Sequence, residues 1–197
     1  MTLRLPPGAV VSEKELSDHL GIGRTPIREA LQRLSRERLV TLLPRRGIVV
    51  SEINVKSQLR LLEVRRELER LISRSAARRA SDDERKRFRR IASDFRRSAR
   101  ANDDVAFMRT DREFNSLQGS ATRNEFAIGA MALMHGLSRR FWYLHYKQAA
   151  DMPLTARLHA NIALAIANQD EARAGKATDE LLDVIEKFTR DSLSTDV

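Results

Sequence analysis

The chain of 197 residues contains no cysteine, which excludes a disulfide framework, a thiol nucleophile and a thiolate zinc site. Long apolar runs are also missing. The stretch 127–134, interrupted by Gly129, falls far short of a bilayer-spanning helix, and the N-terminus has no apolar segment of signal-peptide length. A soluble, cytoplasmic protein with no membrane partner is expected. Proline and glycine become scarce after residue 48. Four of the five prolines (Pro6, Pro7, Pro26, Pro44) and four of the eight glycines (Gly8, Gly21, Gly23, Gly47) precede it, and Pro153 is the one proline beyond. That uneven punctuation divides the chain into a small mixed domain at 1–51 and an all-helical domain at 55–194, joined by a short linker at 51–54.

Charge of one sign is what the chain has in excess. Lys and Arg number 36 against 27 Asp and Glu, a net charge of +9. Such a surplus favours a polyanionic partner, nucleic acid before an anionic membrane surface. With 42% hydrophobic residues the chain is also long enough and apolar enough to enclose a core.

Local signals in the first domain are dense. Ser12-Glu13-Lys14-Glu15 reads as a capping box that opens a helix carrying Leu16 and Leu20 on one face, and Gly21 ends it. Thr25-Pro26 opens a second helix with a stripe of Ile27, Ala30, Leu31 and Leu34. Residues 39–43 and 48–50 flank Pro44-Arg45-Arg46-Gly47 and read as a β-hairpin with a basic tip. Beyond the linker, periodicity predicts six helices near 55–80, 82–101, 103–118, 124–148, 154–168 and 170–193. Short connections between them suggest an antiparallel bundle.

Two short helices about a glycine turn, followed by a basic hairpin, describe a winged helix-turn-helix. The second helix starts with Arg24, Thr25 and Arg28, the region of a recognition helix that meets base edges in the major groove. An arginine there can bind guanine O6 and N7 with two hydrogen bonds. Arg45, Arg46 and Gly47 at the hairpin tip suit a minor groove or phosphates, and Lys14 suits a phosphate. The partner so implied is double-stranded DNA.

These residues carry a resemblance. Pro7-Gly8, Ser12 to Leu16, Gly23-Arg24-Thr25-Pro26-Ile27-Arg28-Glu29-Ala30-Leu31, Leu39-Val40 and Arg46-Gly47 look like the GntR family of bacterial transcription regulators. Val64 to Glu69, Asp111-Arg112-Glu113-Phe114-Asn115, Arg123-Asn124 and His159-Ala160-Asn161-Ile162 resemble the FadR-type branch, whose C-terminal FCD domain is an all-helical bundle that binds an effector. The resemblance implies a mainly α fold, a homodimer, repression from a twofold operator, and control by a small organic acid or related metabolite. Two departures stand out. Relatives usually carry a helix before the Pro-Gly element, so the head is expected to be truncated or less well buttressed, and Gly23 stands where serine is common. Both are expected to weaken DNA binding.

Many relatives hold a divalent metal through one carboxylate and three imidazoles. The matching positions here are Asp111, Asn115, His159 and Leu181, so the metal site looks degraded and no cofactor is expected. Asp179, Glu180 or Asp183 offer substitutes in a different helix register, and His135 and His145 are further imidazoles. What is left is a polar lining of Asp111, Asn115 and His159 suited to an effector. Arg65 serves there either as an anion clamp or as an ion-pair partner of Glu69 or of another helix. The arginine-rich stretch 60–100 reads as a solvated helix face. Phe141-Trp142-Tyr143 point in different directions on one helix and are not expected to share a pocket. Two rival functions are weighed. One is a metal-dependent helical-bundle enzyme built on Asp111 and His159, disfavoured by the missing ligands. The other is an architectural nucleic-acid binder without sequence choice.

Overall fold

The computed structural model describes residues 4–44, 47–149 and 151–192. The first region begins with a turn in which the Ala9 amide donates to the Pro6 carbonyl at 3.1 Å. Gly8 at its third position has φ +79°, a left-handed conformation that glycine adopts without strain. The turn feeds β1 (Val10–Val11), then α1 (Glu13–Leu20) and α2 (Arg24–Arg36). The capping box forms: Ser12 Oγ accepts the Glu15 amide at 3.1 Å, and Glu15 Oε2 accepts the Ser12 amide at 2.8 Å. Gly21 closes α1 in the left-handed region.

The hairpin consists of β2 (Val40–Leu43) and β3 (Gly47–Val50), paired antiparallel from Val40↔Val50 to Leu43↔Gly47. Arg45 and Arg46 lie outside the described residues. Strand β1, which the sequence pattern does not reveal, adds to the other edge of β3 and gives the order β1-β3-β2. Two residues are too short for any alternation to register; the open edge of β3 recruits them. Gly47 has a backbone reason to be glycine, since φ is +97° and a Cβ would stand 2.9 Å from the Val11 carbonyl oxygen.

Ile27, Leu31, Val40 and Ile48 form the small core of this head, with Leu16 and Leu34 at its margin. The expected stripes are narrower than the periodicity suggests: Ala30 is exposed and Leu20 is 54% exposed. Two short helices and three short strands offer too little surface to cover both stripes fully.

Six helices follow: α3 (Val55–Arg79), α4 (Asp82–Ala101), α5 (Asp104–Thr122), α6 (Glu125–Ala149), α7 (Met152–Ala167) and α8 (Glu171–Asp191). Caps explain the boundaries that differ from expectation. Asp103 caps α5, and Asn102 closes α4 in the left-handed region. Asp151 caps α7 and leaves Pro153 in the first turn, where a missing amide costs nothing. Helix α7 packs between α4 and α8, while α3 packs on α8, α5 and α6. Phe88, Ile91, Phe95, Ile162 and Ile166 are sealed inside. The arginine-rich stretch is more than a solvated face. Arg66 reaches Asp183 and Arg70 reaches Asp179, both at 2.8 Å, and so tie α3 to α8.

Candidate functional site

Local sequence sets the basic face of the head. Lys14, Arg24, Thr25 and Arg28 are all exposed, on α1 and the first turns of α2. Gly23 provides no side-chain cap for α2, and the first turn carries no acid, so the positive end of the helix dipole stays uncompensated. Arg28 is held by a residue the sequence reading missed. Its Nε and Nη2 donate to Glu13 Oε1 and Oε2 at 3.0 and 2.8 Å, and the hydrogen bond lowers the Glu13 pKa below its ordinary value. The pair lies in water, where screening keeps it weak and exchangeable. Glu13 holds the Arg28 fork through two of its nitrogens. No sequence signal links two residues on different helices fifteen positions apart.

A cavity of about 590 Å³ opens in the bundle, bordered by α3, α5, α6, α7 and α8. Arg65, Asp111, Asn115, His159 and Leu181 all border it. His159 sits among the rings of Phe95, Phe107 and Phe114. Its Nδ1 lies 2.8 Å from the Thr155 carbonyl, which makes that nitrogen the donor and turns Nε2 toward Asp111 Oδ1 at 3.4 Å. Arg65 forms the expected ion pair with Glu69, its Nε donating at 2.7 Å; its Nη1 donates to Ser138 Oγ at 3.1 Å, and the side chain borders the cavity.

A buried polar relay forms part of the wall. Thr178 donates to the Ala174 carbonyl at 2.9 Å and therefore accepts from Ser73 at 2.7 Å, whose oxygen accepts from Gln118 at 2.9 Å. The sequence reading missed these three; their signal is a polar residue on the apolar stripe of each of three helices. His135 also borders the cavity. Burial lowers its pKa, the charges of Arg65 and Arg139 act in the same direction, and Glu69 and Asp111 oppose them. His145 is buried against Phe141 instead, with ring centroids 4.5 Å apart. Phe141, Trp142 and Tyr143 all border the cavity, contrary to expectation, because the space is wide enough to span the arc they cover.

The donor set does not fit a tightly held transition metal. Asp111 and His159 supply one carboxylate and one imidazole, Asn115 is a weak ligand, and Leu181 is none. The alternative register does not occur. Asp179 pairs with Arg70, Glu180 with Arg173 and Asp183 with Arg66. Among the described residues no three His, Cys, Asp or Glu side chains converge. Nor is any helix among them long and apolar enough to cross a membrane.

Comparison with known proteins agrees with this anatomy. Residues 1–50 match the model of the gntR family of bacterial regulatory proteins, and residues 60–184 match the FCD domain. The chain is 26% identical over 202 residues to the Nta operon transcriptional regulator of Aminobacter aminovorans, covering 94% of this chain and 93% of that one. A shorter match, 46% identical over 54 residues, joins 27% of this chain to 23% of an uncharacterized HTH-type transcriptional regulator of Streptomyces ambofaciens. The structure of E. coli McbR/YncC superposes with a TM-score of 0.78 over 95% of this chain and 89% of that one, at 18% identity. The chain belongs to the gntR family of DNA-binding transcriptional regulators, in the branch that carries an FCD domain, and is not an enzyme.

Proposed function

We propose that this regulator works in the cytoplasm as a homodimeric repressor of a twofold-symmetric operator, and that a small organic acid bound in the bundle cavity controls its operator affinity. The division of labour follows the two regions. Residues 1–51 read DNA through Arg24, Thr25 and Arg28, with Lys14, Arg45, Arg46 and the backbone around Gly47 holding phosphates or the minor groove. Residues 55–194 bind the effector through Arg65, Asp111, Asn115 and His159. The observation that carries the reading is the cavity itself: an open space of about 590 Å³ lined by both apolar and polar side chains, in a chain that also presents a basic recognition helix. Arg112 and Arg139 on its border form no ion pair among the described residues, which supports an anionic ligand.

The mechanism is a population shift. An effector that favours one mutual orientation of the two heads changes how well they match successive major grooves, with a coupling of about 1–3 kcal/mol. Selection from a random duplex pool at about 150 mM salt tests the DNA half. One short sequence of twofold symmetry is expected. Steep salt dependence with no preferred sequence would show an architectural binder instead. Calorimetric titration of a panel of organic acids, with and without the selected duplex, tests the other half. Equal affinity in both conditions overturns effector control.

A further inference from the structure

One buried cation belongs to neither the DNA-facing surface nor the cavity wall. Arg140 on α6 is 5% exposed and forms no ion pair among the described residues. Its Nη2 donates to the Ser51 carbonyl at 2.6 Å, and its Nη1 approaches the Leu39 carbonyl at 3.5 Å. Leu39 precedes β2 and Ser51 follows β3, and the Ser51 amide donates to the Leu39 carbonyl at 3.0 Å. A side chain of the bundle thus grips the base of the wing. A guanidinium buried without a carboxylate is costly, so these carbonyls are what hold it there. Burial lowers its pKa below the ordinary value, and the Glu52 charge opposes that.

The surrounding contacts have the same direction. Four residues earlier, Gly136 makes room for Leu39, since a Cβ there would come within 2.7 Å of Leu39 Cδ1. Ile53 of the linker packs into a cluster of Val55, Phe141, Trp142 and Phe188. Phe141, Trp142 and Phe188 also border the cavity, and so do His135 and Ser138 of α6. The span from His135 to Trp142 is about two helical turns, a rod too short to bend independently at its two faces.

We propose that α6 couples the cavity to the reading head. In this coupling Arg140 is the positioning residue that sets the head's orientation, and the Glu69–Arg65–Ser138 chain is the end that senses cavity occupancy. An anion that draws Arg65 from Glu69 also withdraws its hydrogen bond from Ser138, two residues from Arg140. A ligand that displaces Phe141 or Phe188 moves the ring against which Ile53 rests. The coupling rests on the effector reading of the cavity, but its test requires no ligand.

The absence of cysteine makes the test direct. Asp18→Cys on α1 and Arg87→Cys on α4 are both exposed positions for spin labels. Labelled full-length chain diluted into unlabelled chain reports intrachain distances alone. The parent pair is expected to give one narrow distribution. Arg140→Met broadens it about twofold, Arg140→Lys restores part of the narrowing, and Arg65→Gln, read at a temperature where the bundle is folded, shifts or broadens it. Lys176→Gln, exposed on α8 and outside the cavity lining, leaves it unchanged. Should Arg140→Met fail to fold, Gly136→Ala displaces Leu39 and shifts the mean distance. The parent distribution persisting in folded Arg140→Met, in Gly136→Ala or in Arg65→Gln overturns the coupling. If no organic acid binds the parent chain, the effector reading fails, while the distances still decide the coupling.

Discussion

The reading head and the bundle are stabilised by different means. The head core is a cluster of four side chains, Ile27, Leu31, Val40 and Ile48, and α1 buries none of its residues. Its order depends on local devices: the Ser12–Glu15 capping box, left-handed glycines at 8, 21 and 47, and a hairpin pairing. The bundle instead closes around Phe88, Phe95, Ile91, Ile162 and Ile166, all at most 2% exposed, with ion pairs from α3 to α8 outside them. Close packing gives the bundle a reserve of stability that allows it to keep a wide cavity and a buried polar relay. The head spends its surface on DNA, and its few buried groups leave it dependent on its neighbour.

The largest effect expected from this contrast is in the bundle. Phe95→Ala removes a ring with no exposure that meets Phe107, Phe114 and His159, and should cost about 3–5 kcal/mol in urea unfolding. A loss below about 1 kcal/mol would show a bundle far looser than its burial indicates. Leu31→Ala should cost about 2–4 kcal/mol in the head and separate its unfolding from that of the bundle, as two transitions by circular dichroism. A single shared transition would mean that the two regions fold as one unit.

The next effect concerns recognition rather than stability. Arg28→Ala should lose discrimination at one base pair of each half-site by about 10- to 100-fold, whereas Lys14→Ala should weaken binding evenly across sequences. Competition assays with single-base operator variants distinguish the two.

A smaller effect is expected from pH. The folded-state pKa of His135 lies below its unfolded value of 6.5, chiefly because of burial. As pH falls below that value, the unfolded chain takes up a proton that the folded chain refuses, so stability drops toward acid and is unaffected well above it. Urea midpoints at about pH 7.5 and pH 5.5 should show a smaller acid loss in His135→Gln than in the parent. Equal losses would refute the assignment. The smallest change is Gly23→Ser, where a Cβ meets nothing closer than Pro26 Cδ at 4.0 Å. It should stabilise the head by a few tenths of a kcal/mol and tighten binding to any duplex.

Helix existence was legible along the chain because caps and apolar periodicity are local. Ser12, Asn54 and Ser81 each accept the amide three residues on, as their sequence contexts require. The wing was legible from Pro44 and Gly47 between two short, mostly apolar runs at 39–43 and 48–50. Arg65, Asp111, Asn115, His159 and Leu181 could be grouped from resemblance, and they do meet at one cavity. Ser73, Gln118 and Thr178 were not grouped, since three polar residues on three helices carry no common spacing.

The amino-acid order alone determined the helices, the hairpin, several caps and the basic first turns of α2, because each depends on residues a few positions apart. Tertiary structure decided that β1 completes the sheet, that Glu13 holds Arg28, and that Leu181 rather than Asp179 faces the cavity. It also decided that Arg140 closes on Leu39 and Ser51 across 101 and 89 residues of chain. These are contacts between side chains and backbone groups that only packing brings together, and no pattern of neighbouring residues encodes the distance between them.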